Sequence, residues 1–191
     1  MKRRKAIGTI LLAGGATAVG FAGYEWYELA KSPDRNYLFS KKSLLADLAE
    51  TIIPATDTPG AKEAGAVEYM MHLLNECTDT KTLNQFVEGL QDLEFYTSKQ
   101  FNRTFTDCHD HEKQAVLTHF SNKSGTGFTF LEKVKNKVTG KSFFETLKSY
   151  TVQGYCTSEK GASLGMRYIA VPGKWLACIP LEPNQKAWAT K

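Results

Sequence analysis

Residues 40–60 have the sequence SKKSLLADLAETIIPATDTPG, which predicts a helix, its end and a turn in succession. Ser40 or Ser43 is expected to cap the helix, and Pro54 to end it, because proline has no backbone N–H to donate. The ATDTPG that follows is rich in turn residues. Apolar side chains recur at the spacing of one helical face, at Leu44, Leu45, Leu48, Ala49, Ile52 and Ile53.

Apolar periodicity predicts two more helices downstream of this turn. The second helix covers residues 66–77, and the third begins at a cap formed by Asp79 or Thr80. Their inward side chains are expected to be Val67, Met70, Met71 and Leu74 in the second helix, and Leu83, Phe86, Val87, Leu90, Phe95 and Phe101 in the third.

Three further helices are predicted before Gly154. Thr106 or Asp107 is expected to cap the fourth, and the sixth is expected to end near Gly154. Their apolar residues are Ala115, Val116, Leu117 and Phe120 in the fourth helix, Phe130, Leu131, Val134 and Val138 in the fifth, and Phe143, Phe144, Leu147 and Tyr150 in the sixth.

The pattern changes after Gly154, where glycines and prolines interrupt any long helix. Residues 155–191 are therefore expected to be mostly irregular, with short strands around 167–171 and 174–179. The predicted fold is mainly α: a compact domain of about five or six helices with a long irregular C-terminal segment, preceded by an N-terminal helix.

That N-terminal helix begins with Met1-Lys-Arg-Arg-Lys5 and continues without charge from residue 6 to 24. The Arg3–Arg4 pair before a Gly/Ala-rich apolar run is typical of a twin-arginine export signal. The run is long enough to cross a bilayer if it stays uncleaved, with Tyr24, Trp26 and Tyr27 at the interface. The predicted organisation is a signal or membrane anchor over 1–30, a linker over 31–40 and a helical domain over 41–191.

The net charge of +4 comes from this signal alone. The first five residues hold four of the 24 basic side chains, so residues 25–191 hold 20 basic against 20 acidic groups. A domain without net positive charge argues against nucleic acid as a partner.

Motifs for catalysis or cofactor binding are missing from the sequence: it has no dinucleotide or phosphate loop, no haem-attachment motif and no nucleophile elbow. The nearest approach to a metal site is Cys108-His109-Asp110-His111, with His119 beyond it. His109 and His111 would point to different sides of a helix, so a polar helix start is the favoured interpretation. We predict no catalytic, cofactor-binding or metal-binding residue in this chain.

The four cysteines are Cys77, Cys108, Cys156 and Cys178. In an oxidising compartment they predict one or two disulfides, with three complete pairings open. A bridge to a partner chain and buried free thiols are the alternatives.

Three segments together carry a family resemblance: LAETIIPATDTPGAKEAG (48–65), SFFETLKSYTVQGYCTSEKG (142–161) and VPGKWLACIPLEPNQKAWA (171–189). In this order they resemble the gluconate 2-dehydrogenase subunit 3 family, the small subunits of membrane-associated flavin-dependent sugar and polyol dehydrogenases. The resemblance runs from about residue 44 to 189. Cys156 stands where an aromatic residue is expected in the family, so no bridge is transferred to it.

The resemblance implies a non-catalytic chain that binds no cofactor itself. The partner would be a large subunit of the glucose–methanol–choline type that holds FAD, with a cytochrome c subunit as a frequent third component. The small subunit would carry the twin-arginine signal for both chains, reach the periplasmic side of the inner membrane and help the flavin subunit to mature. Arg3 and Arg4 match that signal, although Lys2 and Ala6 depart from its best consensus.

The expected partner interface combines the turn after the first helix with aromatic residues near and in the tail. The turn supplies a rigid exposed corner, and aromatic side chains make good interface anchors. The predicted interface residues are Pro54, Thr56, Asp57, Pro59, Tyr155 and Trp175. The alternative function is a stand-alone, membrane-anchored helical protein with a binding or structural role.

Overall fold

A computed structural model describes residues 31–124, 140–171, 173–174, 178–181 and 183–189. These residues are mainly helical, as predicted, and their C-terminal part is irregular. The only β feature among them is an isolated bridge between Arg167 and Trp188, so the strand expected at 167–171 is wrong. The middle of the strand expected at 174–179 lies outside the described residues. The helices are α1 (Arg35–Ser40), α2 (Lys42–Ile52), α3 (Ala66–His72), α4 (Thr80–Phe101), α5 (Asp110–Lys123) and α6 (Phe143–Thr157).

Three short turns of other helix types join this framework. A π-helical turn at Leu73–Cys77 continues α3, a 3-10 turn at Phe105–Asp107 precedes α5, and a second π-helical turn at Gly161–Gly165 follows α6. No helix within the described ranges is both long and apolar enough to cross a bilayer. The signal or anchor predicted over 1–30 and the helix predicted around 130–138 lie outside those ranges.

The core is centred on α6, which packs against α2, α3, α4 and α5. Phe143 on α6 links the helices, with its ring centroid 5.2 Å from that of Phe86 on α4 and 5.9 Å from that of Phe120 on α5. Such tilted and edge-on aromatic contacts add specific geometry to apolar burial. The buried residues of α4 are Thr82, Leu83, Phe86, Val87, Leu90, Leu93 and Thr97.

Helix α2 presents its predicted face to this core, with Leu44, Leu45, Leu48 and Ala49 buried. It ends at Ile52, and Ile53 is extended (φ −127°, ψ 87°) as the residue before a proline requires. The predicted serine caps are wrong: Ser40 closes α1, and Lys41 precedes α2 without a side-chain cap.

Helix α1 lies inside the segment expected to be a linker. Asp34 caps it by accepting a hydrogen bond from the Tyr37 N–H at 2.9 Å, and Leu38 is buried. Tyr37 Oη donates to Glu94 on α4 at 2.6 Å, and Lys41 Nζ lies 2.6 Å from the same carboxylate. Burial and the Glu94 hydrogen bond both raise the pKa of the Tyr37 phenol. The contacts with α4 hold a helix too short to stand alone.

Helices α4 and α5 follow their predicted faces except at Phe95 and Ala115, which are exposed, and the predicted cap of α5 is wrong. Asp79 caps α4 by accepting from the Thr82 N–H at 3.0 Å, but Phe95 is 70% exposed instead of buried. The α5 cap is His109 instead of Thr106 or Asp107, since the chain first forms its 3-10 turn. The His109 N–H donates to Glu112 at 2.8 Å.

Helix α6 continues three residues beyond its predicted end at Gly154. Gly154 is buried where α6 crosses α3: an added Cβ would lie 2.9 Å from both the Cα and the carbonyl oxygen of Ala66. The missing side chain therefore serves close helix packing and does not end the helix.

Gly154→Ala is expected to destabilise the protein by about 1–3 kcal/mol, because the new methyl meets backbone that cannot move aside. On an exposed helix the same change would stabilise by about 1 kcal/mol, so the sign is diagnostic. Urea unfolding measures the difference, with the exposed neighbour Gln153→Ala as control. Unchanged or increased stability of the glycine variant would contradict the close approach.

Candidate interaction surface

The turn between α2 and α3, here called the corner (residues 53–65), is closed by its own backbone. The Ala61 N–H donates to the Ile53 carbonyl at 3.0 Å, and the Thr56 N–H donates to the Thr58 carbonyl at 3.0 Å. These bonds fold the segment back on itself between Pro54 and α3, so that its tip has one defined shape.

The carboxylate of Glu50, on the last turn of α2, holds the corner from within. Its two oxygens accept the backbone N–H groups of Ala55 at 3.0 Å and Lys62 at 2.9 Å. Gly60 passes beside this carboxylate, where an added Cβ would lie only 2.2 Å from Oε1. One carboxylate thus joins both limbs of the corner, and glycine at position 60 makes room for it.

The longest exposed stretch of the corner is its tip, at Pro54, Ala55, Thr56 and Asp57, and Lys62 and Glu63 are exposed further along. Thr56 Oγ1 lies 3.0 Å from Asp57 Oδ1, which orients a small polar surface. Pro54, Thr56 and Asp57 are therefore accessible to a partner, and their place in an interface stays a prediction. Pro59 differs, because it is buried beneath the tip and offers no surface.

The corner meets the end of α6. Lys160 Nζ lies 3.1 Å from Glu63 Oε1, and Gly154 packs on Ala66 where the corner enters α3. The segments 48–65 and 142–161, nearly 80 residues apart in the chain, therefore meet at one end of the helical domain. Tyr155, another predicted interface residue, is buried, and its hydroxyl lies beside Gly165 of the π-helical turn that follows α6.

The C-terminal arm (residues 164–189) begins beside this junction and returns to its own base. The Arg167 N–H donates to the Ala187 carbonyl at 2.8 Å, and the Ala189 N–H donates to the Arg167 carbonyl at 3.0 Å. The Arg167 guanidinium lies 4.5 Å from the centroid of the Trp188 ring, a cation–π contact. Lys186 Nζ also donates to the Leu164 carbonyl at 2.5 Å. These contacts form a latch that brings residues 167 and 188 together.

Exposed large apolar side chains are concentrated in the arm. Three lie on the described helices, at Phe39, Phe95 and Val152. Six lie in the arm, at Leu164, Tyr168, Val171, Ile179, Leu181 and Trp188. Single exposed apolar residues are ordinary, but six of the nine in the described chain lie in this one segment. Trp175, the remaining predicted interface residue, lies outside the described residues.

Two open clefts adjoin the corner and share Thr51 and Gln114. One, of about 340 Å³, lies between the corner and the start of α5, and the other, of about 450 Å³, continues between α2, α5 and α6. In the first cleft Lys62 Nζ pairs with Asp47, which offsets both charges. Across the described ranges no three His, Cys, Asp or Glu side chains gather as a metal site would require.

His109 and His111 lie side by side, so the expectation that they point to different sides of a helix is wrong: His109 is the cap and precedes α5. The rings of His109 and His111 are parallel with centroids 5.9 Å apart, whereas His119 stacks on Tyr96 at 4.2 Å.

All four cysteines are free thiols in the structure. Cys108 is buried, and its Sγ donates to the Thr104 carbonyl at 3.3 Å. Burial and the nearby Glu112 carboxylate raise the pKa of this thiol, which lowers its reactivity. Cys77 and Cys178 are exposed, and Cys156 is half-buried. The disulfides predicted from the sequence stay a prediction.

Sequence patterns missed Glu50, Glu63 and Lys160 as elements of this surface. For Glu50 a sequence signal was available: it lies four residues before the proline that ends the helix, and a glycine follows in the same turn. Glu63 and Lys160 carry no such signal, because only the packing of α6 on α3 brings them together.

Comparison with known proteins gives one match. The sequence model of the family described as gluconate 2-dehydrogenase subunit 3 matches residues 40–173, which include the corner, α6 and the first part of the arm. No curated protein and no solved structure shows a significant match to the chain.

Glu50→Ala is expected to destabilise the protein by about 2 kcal/mol, because two charge-assisted hydrogen bonds to the corner are lost. Hydrogen exchange of the Ala55 and Lys62 amides should accelerate more than that of the helical core. Glu63→Ala, which removes only the exposed pair with Lys160, is the control and should cost at most about 1 kcal/mol. Equal effects of both variants would show that Glu50 does not organise the corner.

Proposed function

Because the chain belongs to the gluconate 2-dehydrogenase subunit 3 family, we propose that it is the non-catalytic small subunit of an FAD-dependent sugar or polyol dehydrogenase. The partner is a large subunit of the glucose–methanol–choline type, which holds FAD and performs the oxidation. The observation that carries the proposal is the family match across residues 40–173.

The surface of the chain supports an accessory role of this kind. Hydrogen bonds to Glu50 order the corner, while its exposed tip does not contribute to the packing of the core. The arm exposes six large apolar side chains, a feature that a partner would cover. Binding of another protein accounts for both features.

The N-terminal segment extends the proposal to export. Arg3 and Arg4 precede an uncharged run, and the rest of the chain has no net charge. We propose that this segment sends the folded small subunit and its flavin partner together through the twin-arginine route to the periplasm. The small subunit thereby acts as escort and maturation factor, held at the inner membrane if the segment stays uncleaved.

A cytochrome c subunit is proposed as the third component. Electrons that FAD takes from the sugar must leave the complex, and this chain offers no redox group in the proposed scheme. A haem-carrying partner would receive them and pass them to the membrane.

Purification of the full chain with a C-terminal tag tests the subunit proposal. We expect a flavoprotein with sugar or polyol dehydrogenase activity to co-purify from the membrane and periplasmic fractions in a fixed ratio to the tagged chain. A chain recovered without any flavoprotein would instead support the stand-alone, membrane-anchored alternative.

Replacement of Arg3 and Arg4 together by lysine tests the escort role. The pair is the recognition element, so dehydrogenase activity of the partner should remain in the cytoplasm although total charge is unchanged. Activity in the periplasmic fraction is the measurement, and Lys2→Arg with Lys5→Arg is the matched control. Normal periplasmic activity in the Arg3→Lys, Arg4→Lys double variant would show that the flavin subunit travels on its own signal.

A further inference from the structure

We propose that the C-terminal arm is the element that docks on the flavin subunit, and that it binds a patch where an apolar depression is bordered by acidic side chains. This inference rests on the proposed function. It goes further by assigning the contact to one segment of this chain and by stating the chemistry of the surface that receives it.

The exposure of the arm is the first argument. Val171 and Leu181 are 81% and 83% exposed, the two highest values among the exposed large apolar residues of the described chain. Tyr168 and Ile179 are also exposed beside them in sequence. Burying these side chains in a partner would recover apolar area that the helical domain leaves in water.

The latch is the second argument. Two backbone hydrogen bonds and the Arg167–Trp188 contact join the ends of the arm, so its apolar residues project from a closed base. A segment whose ends are already fixed loses less conformational entropy when it binds.

The net charge of the arm indicates the charge of the partner surface that it would bind. Residues 161–189 carry Arg167, Lys174 and Lys186 against a single acid, Glu182, while residues 25–191 as a whole are neutral. An interface surface of one sign steers association towards a surface of the other sign and disfavours wrong partners. The arm therefore fits a patch on the flavin subunit in which Asp or Glu side chains border an apolar depression.

The position of the arm base connects it to the corner. The Lys160–Glu63 pair lies just before the π-helical turn from which the arm starts. The corner is consequently the neighbouring surface on this chain, and its exposed tip is available for a second contact with the same partner.

The test compares two pairs of matched variants in the full chain, co-produced with the flavin subunit. Val171→Asp with Leu181→Asp is expected to lower the affinity for the purified flavin subunit at least about tenfold. Phe95→Asp, an equally polar change at an exposed residue of α4, should change it less than about twofold. Lys174→Glu should weaken binding more than Lys148→Glu, which reverses an exposed charge on α6.

Hydrogen exchange provides a measurement that needs no variant. The amides of residues 168–171 and of Cys178, Ile179 and Leu181 should exchange at least about tenfold more slowly in the purified complex than in the isolated chain. Unchanged exchange there, or equal affinities for the arm variants and their controls, would overturn the arm as the docking element. If the wild-type chain still binds the flavin subunit, only the role of the arm is overturned and the proposed function stands. If the wild-type chain binds no flavin subunit, the proposed function itself is contradicted.

Discussion

The backbone of α6 touches the backbone of α3 at Gly154 and Ala66, and most of the surface described above depends on that contact. A side chain at position 154 would separate the two helices. Because they meet, Lys160 lies against Glu63 and the arm starts beside the corner. Two segments far apart in sequence therefore form one end of the molecule, and that end carries both the corner and the start of the arm.

Local sequence patterns predicted correctly those helices whose position depends on a single apolar face. The apolar spacing of α2 and the proline after it were sufficient, since both act within a few residues. Helix α1 was taken for a linker because its order comes from Glu94, more than fifty residues away, and from a single buried leucine. Phe95 fits the apolar spacing of α4 but faces water, because periodicity cannot tell how wide the covered face of a long helix is.

The candidate surface was predictable in part. Turn residues after Pro54 indicated an exposed corner, and three of the four residues chosen there are exposed. Pro59 and Tyr155 are buried, because residue type does not reveal which side of a turn or helix faces the core. The latch between residues 167 and 188 had no sequence signal, since a backbone bridge and one cation–π contact require no motif.

That latch makes the last few residues of the chain responsible for the shape of a segment about twenty residues upstream. Ala187 and Ala189 supply both backbone partners of Arg167, and Trp188 supplies the ring. Loss of residues 187–189 would open the arm, whereas none of them belongs to the apolar core of the helices. The shape of the arm and the stability of the helical domain therefore depend on separate sets of contacts.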